Sequence, residues 1–245
     1  EKEVTFDDDG IIVDGKKVQV FAEMNPEKLP WKELGIDLVF ECTGKFTKEE
    51  EAMKHIVAGA KKVLVSAPCK GDVKTIVYNV NHDTLTGDED VISAASCTTN
   101  CLAPVLNIIH KEYGISSGYM TTVHAYTNDQ VTLDVAHKKG IESRRGRACA
   151  ANIVPTSTGA ASAIGNVIPS LKEKMKGIAL RVPVSTGSVV DLVLKLNKKV
   201  TIEEINKLFE KNQNETIKIT YDPIVSSDVI SSHYGVVVDG LSTDV

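Results

Sequence analysis

Ile36-Asp-Leu-Val-Phe-Glu41, Cys42-Thr43-Gly44, Thr47-Lys-Glu-Glu50 and Lys62-Val-Leu-Val-Ser66 follow one another in the stretch that sets the architecture. The two apolar runs are short and nearly continuous, the pattern of strands buried on both faces of a sheet. Between them, Thr47 and Glu50 stand three apart in a capping-box pattern, which predicts the start of a helix. Ala52, Met53, Ile56, Val57 and Ala60 recur at helical spacing and predict its buried face. Strand, helix and strand at this spacing make a βαβ unit, and right-handed crossovers make its sheet parallel. Thr43-Gly44 and Ser66-Ala67-Pro68 then fall at strand carboxyl ends, where doubly wound sheets bind ligands.

Working outward, residues 4–21 alternate around Asp-Gly turns and predict a small antiparallel meander. Thr75–Val80 and Asp90–Ser93 read as further strands. Immediately afterwards comes Ser93-Ala-Ala-Ser-Cys97-Thr-Thr-Asn-Cys101, with Leu102, Val105, Leu106 and Ile109 at helical spacing beyond it. Gly118–Tyr126 predicts a strand, and residues 127–151 a long polar loop with Lys138, Lys139, Arg144, Arg145 and Arg147. Pro155–Ile168 reads as helix. Residues 178–183 and 188–196 read as strands, and Thr201-Ile-Glu-Glu204 as a second capping box. Strand-like 216–221 and 234–238 close the chain. The fold class expected is α/β plus α+β: a partial Rossmann-type parallel sheet over residues 1–96, then a mixed or antiparallel sheet domain over 97–245.

Composition narrows the function classes. The 245 residues are 42% hydrophobic and 25% charged, ordinary for a globular protein. A net charge of −5 gives no pull toward nucleic acid or an anionic membrane, and neither is expected as a partner. No run approaches the roughly 18 apolar residues of a membrane span, and no signal-peptide pattern opens the chain. Five cysteines without metal-type CxxC pairs predict a reduced, cytoplasmic protein with no metal site. The chain opens on Glu1-Lys2-Glu3-Val4 and stops at Asp244-Val245 after a strand-like run, so it reads as a piece of a longer protein. No G-x-G-x-x-G occurs in it.

Cys97 is the candidate nucleophile. At a strand-to-helix junction the unpaired N–H groups and the positive end of the helix dipole favour the thiolate, the reactive form. His124, 27 residues on in a strand pattern, could pair with it and handle a proton. On spacing alone, both could equally be buried structural residues. Arg181 interrupts an apolar strand and needs a partner, either a structural ion pair or an anionic ligand. Thr156-Ser-Thr158-Gly159 opens a helix with hydroxyls and N–H groups suited to capping or to phosphate.

Together these segments resemble the phosphorylating, tetrameric glyceraldehyde-3-phosphate dehydrogenase family. The resemblance is carried by Ser96-Cys97-Thr-Thr-Asn-Cys101, Thr121-Thr-Val-His124-Ala-Tyr-Thr127-Asn-Asp-Gln130, Pro155-Thr-Ser-Thr-Gly-Ala-Ala161, Leu180-Arg-Val-Pro183 and Ser188-Val-Val-Asp-Leu192, in family order. It implies that Cys97 attacks the aldehyde of glyceraldehyde 3-phosphate while His124 assists. It further implies a thioester, hydride transfer to NAD (with NADP left open), and phosphorolysis to 1,3-bisphosphoglycerate. Thr127 and Arg181 would bind the C3 phosphate. Ser96, Thr98, Thr158, Gly159 and, of the loop arginines, Arg144 would serve inorganic phosphate. Thr43, Gly44, Phe46, Ser66 and Asn128 would lie along the NAD site, and a homotetramer is implied. Three alternatives stay open: erythrose-4-phosphate dehydrogenase, a cysteine hydrolase using the same thiol and imidazole, and a non-catalytic fragment.

Overall fold

A computed structural model describes residues 2–245, which form two compact units. The amino-terminal unit runs to Val73 and takes in Asp88–Ile92; the second holds Lys74–Gly87 and Ser93–Val245.

The amino-terminal unit opens with β1 (Val4–Asp7), β2 (Gly10–Val13) and β3 (Lys16–Gln19), paired antiparallel as the alternation predicts. Asp14 and Gly15, with φ of 47° and 76°, make the second turn. Next come β4 (Leu38–Glu41), the four-residue helices α1 (Glu49–Ala52) and α2 (Lys54–Val57), and β5 (Lys62–Val65). β4 and β5 are parallel with Glu41 opposite Val65, the βαβ unit expected. Val63 donates to the Asp90 carbonyl at 2.8 Å, so residues 88–92 extend this sheet.

Two details differ from the sequence reading. The crossover helix starts one residue late, with Glu51 accepting from the Lys48 N–H at 3.3 Å, and it is broken at Met53. That break turns His55 inward and leaves Val57 72% exposed, where the helical pattern predicts it buried. On β4, Val39 and Glu41 are buried, whereas Leu38 and Phe40 remain exposed within this unit.

In the second unit, β6 is only Lys74–Thr75, although a strand to Val80 is the pattern's prediction. The Asn81 side chain ends it by accepting from the Val77 N–H at 2.8 Å, which turns the backbone away from a ladder. The chain passes between the units in β7 (Val91–Ser93), and Ile76 donates to the Ser93 carbonyl at 2.8 Å. Helix α3 (Cys97–Tyr113) follows, capped by Ser96, whose Oγ accepts from the Thr99 N–H at 3.1 Å. Gly114, at φ +70°, ends it and turns directly into β8 (Ile115–Ala125). A Cβ on Gly114 would come within 2.5 Å of Asn197 Nδ2.

β9 (Val154–Thr156) precedes α4 (Ala160–Val167), so the alanine-rich segment read as one helix is a short strand and then a helix. Pro155 is tolerated because β9 lies at the sheet edge. β10 (Met175–Val182) and β11 (Ser188–Leu196) complete a mixed sheet of order β11-β8-β10-β9. β8 is parallel to β10 and antiparallel to β11. Helix α5 (Ile202–Lys211) opens on the expected capping box, with Thr201 and Glu204 bonding reciprocally. β12 (Ile217–Thr220) and β13 (Val236–Asp239) form a parallel pair. Leu102, Leu106 and Ile109 of α3 share one core with Met120 of β8 and Ile164 of α4. That core fixes α3 against the sheet, and with it the end that carries Cys97.

Candidate active site

Cys97 is the first residue of α3 and is exposed, at the helix end where N–H groups point outward. His124 is the penultimate residue of β8. Its Nε2 lies 3.5 Å from the Cys97 Sγ. The imidazole draws the thiol down to about 7, against the burial that opposes it, and Thr98 adds a smaller contribution. About half of the thiol is therefore ionised at neutral pH. Cys101, one turn further along α3, is pushed the other way, to about 11, by burial and by Cys97. Only the first of the two cysteines is suited to attack.

The ring is oriented from behind. His124 Nδ1 lies 2.8 Å from the Ala125 carbonyl and 3.0 Å from Arg181 Nη1. When Nδ1 carries a proton it donates to that carbonyl and frees Nε2 to exchange a proton with sulfur. Arg181 reaches this point because β10 pairs with β8 in parallel register, with Arg181 opposite His124. Its Nη1 donates to the Ala125 carbonyl at 2.8 Å and to Thr127 Oγ1 at 3.0 Å. Its buried Nε has no protein partner among the described residues. Arg181 has no carboxylate ion pair of its own among those residues, so the structural-ion-pair alternative has no partner here.

A second guanidinium stands beside the first. Arg145 is half-buried, donates from Nε to Thr156 Oγ1 at 2.9 Å, pairs with Asp129, and is close enough to Arg181 for mutual repulsion. Burial, then Arg181, hold Arg145 below its ordinary value; burial does the same to Arg181, while the Cys97 charge offsets it. Thr127 donates to the same Asp129. Arg144, the arginine favoured by the sequence reading, is exposed. It lines a cavity of about 1110 Å³ together with Asn128, Asp129, Lys138, Lys139 and Arg145. Adjacent arginines are alike by residue type, so no signal in the sequence singles out Arg145; the short 3-10 turn at Arg144–Gly146 decides which one faces inward.

Ser96 Oγ is engaged in capping α3 and in a 2.8 Å bond with Thr99 Oγ1. Thr98 is buried, with Oγ1 4.0 Å from the Cys97 sulfur. Thr158 Oγ1 accepts from the Ala160 N–H at 3.2 Å, and Gly159 is exposed with open space around it. Among the described residues no hydrogen bond joins Thr158 or Gly159 to Cys97, His124 or Arg181.

In the amino-terminal unit, Thr43, Gly44 and Ser66 are exposed at the carboxyl ends of β4 and β5, held side by side by the Ser66 N–H bond to the Glu41 carbonyl at 3.0 Å. Gly44 has φ +70° and nothing within 4 Å of a Cβ, so a ligand can approach its backbone closely. Phe46 is half-buried beside them. Hydroxyls, bare backbone and an aromatic ring at parallel strand ends fit a dinucleotide. No group of three or more His, Cys, Asp or Glu suited to a metal occurs among the described residues.

Residues 96–245 match the family described as "Glyceraldehyde 3-phosphate dehydrogenase, C-terminal domain", and residues 1–49 its "NAD binding domain". The chain belongs to the glyceraldehyde-3-phosphate dehydrogenase family. It is 56% identical to a glyceraldehyde-3-phosphate dehydrogenase of Clostridium pasteurianum over 243 residues, covering 99% of this chain and 72% of that protein. Its identity to the Clostridium acetobutylicum enzyme is 55% over 243 residues, with the same coverage. For the Streptococcus pyogenes enzyme it is 53% over 237 residues, covering 96% and 70%. As a member of this family the chain is an NAD-dependent oxidoreductase. Neither the four-carbon-sugar dehydrogenase nor the hydrolase alternative is favoured by these matches.

Proposed function

We propose that this chain carries out the phosphorylating oxidation of glyceraldehyde 3-phosphate, with Cys97 as nucleophile and His124 as its acid–base partner. The observation that carries the assignment of roles is the 3.5 Å approach of His124 Nε2 to a thiol lowered to about 7, beside a guanidinium with no carboxylate of its own. His124 holds the proton taken from the Cys97 thiol, the thiolate adds to the aldehyde carbon, and His124 returns that proton to the new oxyanion and takes it back as hydride leaves the carbon. NAD, when bound, supplies the acceptor for a hydride from that carbon; Thr43, Gly44, Phe46, Ser66 and Asn128 are the residues we assign to holding it. The Cys97 N–H and His124 stabilise the oxygen of the acyl group on sulfur. Arg181 and Thr127 bind the C3 phosphate.

Inorganic phosphate then takes the acyl group, and Cys97 leaves as a thiolate, which a lowered pKa favours. Arg145 joins Ser96, Thr98, Arg144, Thr158 and Gly159 among the groups proposed for this second anion. Two neighbouring guanidiniums, of which only Arg145 has a carboxylate partner in Asp129, leave a net positive site, as binding two phosphates beside a thiolate requires. Five cysteines, all free, accord with a cytoplasmic setting, and we assign the family's homotetramer to the assembled protein. No helix among the described residues is long and apolar enough to cross a membrane.

Replacing Cys97 with serine tests the reading. Dehydrogenase turnover with glyceraldehyde 3-phosphate, NAD and phosphate is expected to vanish while circular dichroism stays unchanged. Retained turnover in that variant refutes it.

A further inference from the structure

Beneath the β4 strand end lies a buried polar chain that none of the roles above uses. Glu41 and His55 are 3% and 5% exposed in an otherwise apolar setting. Glu41 Oε1 accepts from both the N–H and the hydroxyl of Thr43, the former at 2.7 Å. Its Oε2 meets His55 Nε2 at 3.0 Å, and His55 Nδ1 in turn lies 3.0 Å from Trp31 Nε1. Thr43 Oγ1 passes the chain on by accepting from the Lys45 N–H at 3.1 Å.

An indole N–H only donates, so Nδ1 of His55 must accept and its proton must sit on Nε2, directed at the carboxylate. Every donor in the chain then faces an acceptor. Burial raises the Glu41 carboxyl, but the Thr43 and His55 bonds outweigh it and keep the group ionised below its ordinary value. The ring is also gripped on its faces and edges: Trp31 stacks at 6.3 Å between centroids, and Phe46 meets it edge-on at 6.2 Å. Trp31 is held at that spot by Lys32, whose N–H donates to the Ala58 carbonyl at 3.0 Å.

We propose that Trp31, His55 and Glu41 form a positioning relay that fixes the Thr43–Phe46 loop in the shape needed to receive the cofactor. The inference rests on the assignment of that loop to NAD. A buried carboxylate is a costly way to shape a turn that glycine and threonine could make alone, unless the turn must be held to a narrow geometry. Both ends of the loop are tied to one imidazole, Thr43 through Glu41 and Phe46 through its ring contact. A shift of His55 therefore moves the whole loop.

The test uses the full chain and the near-isosteric variant Glu41→Gln. With its amide oxygen turned to the two Thr43 donors, the glutamine NH₂ must face the N–H of His55, and the relay fails with little change in volume. Amide hydrogen exchange at Thr43 and Lys45 is expected to quicken at least about tenfold, and NAD affinity by equilibrium dialysis to weaken about tenfold, the scale of one lost hydrogen bond to a charge. His55→Gln, able to accept from Trp31 and donate to Glu41 but lacking the ring that meets Phe46, should disturb both less than His55→Leu, which loses the polar link and the ring together; equal losses in the two variants overturn the polar link. Unchanged exchange in Glu41→Gln overturns the relay. Faster exchange with unchanged NAD affinity overturns its role toward the cofactor. If the unmutated chain binds no NAD, the cofactor assignment of the loop fails and the positioning role with it, and the exchange measurement reports that separately from the anchoring.

Discussion

Replacing His124 with asparagine should change Cys97 reactivity in a way that reverses sign with pH. His124 is the largest influence lowering the thiol from 9.0 to about 7. Without it the thiol returns toward 9, and the ionised fraction at pH 7 falls from about one half to about one hundredth. A thiolate of higher pKa is also a better nucleophile, with a Brønsted slope of about 0.45, so a rise of two units raises its intrinsic rate about eightfold. Alkylation by iodoacetamide at pH 7 should therefore slow only about sixfold. Above pH 10, where both forms are fully ionised, the variant should react about eightfold faster than the unmutated chain. The two pH–rate profiles must cross between these limits. Mass spectrometry that locates the label on Cys97 by fragmentation measures both arms; at pH 7 Cys101, at about 11, serves as an internal slow control. Profiles that coincide, or that stay parallel without crossing, would refute the claim that His124 sets the thiol's ionisation.

Three further perturbations have defined outcomes. Arg145→Ala should raise the KM for a phosphate-bearing substrate or for inorganic phosphate at least about tenfold, the scale of a lost charged hydrogen bond, while Arg144→Ala changes it less than about threefold; equal effects in steady-state kinetics would refute the distinction drawn between them. Gly59→Ala should destabilise the amino-terminal unit by more than about 1–3 kcal/mol in urea unfolding. The residue there has φ +107° and a Cβ would sit 2.4 Å from that of Lys32, so unaltered stability would contradict the geometry. The stability contributed by Glu41, whose folded carboxyl lies below its ordinary value, is fully present above pH of about 4.3 and is lost as pH falls through the lower folded value. Urea midpoints of the unmutated chain should fall over that acid range more steeply than those of Glu41→Gln; equal slopes would show that the carboxylate contributes nothing.

How much of this was legible beforehand depends on the kind of signal. The βαβ unit, the helix start at Cys97, the strand bearing His124 and the Thr201–Glu204 cap all rest on local patterns, which survive folding because neighbouring residues create them. Thr75–Val80 failed because its β-like composition lost to a side chain: Asn81 captures the Val77 N–H. Val57 failed because a break at Met53 rotates the following turn, and helical spacing cannot register a break of that kind. In the site, the type of each residue could be read, but which of two adjacent arginines turns inward depends on the backbone at 144–146. The Trp31–His55–Glu41 chain gave no signal at all. Its members are 10 and 14 residues apart on three separate segments, and only the packing of α2 on β4 and the Trp31 turn joins them.

Gly114 has a mechanical meaning. Cys97 and His124 stand at the far ends of a helix and a strand that meet at this one glycine. The helical arm is about 25 Å long and the strand arm about 33 Å, from 17 and 10 residue steps. Such a pair behaves like tweezers hinged at the far end. A change of one degree in the opening angle moves the tips apart by about 0.4 Å, and three degrees by more than an ångström. A sulfur–nitrogen gap of 3.5 Å has little room for that. Angular stiffness is thus the quantity that the Leu102, Leu106, Ile109 and Met120 packing supplies. A lost methyl group halfway along the arms would be felt at the tips as misalignment before it was felt as unfolding.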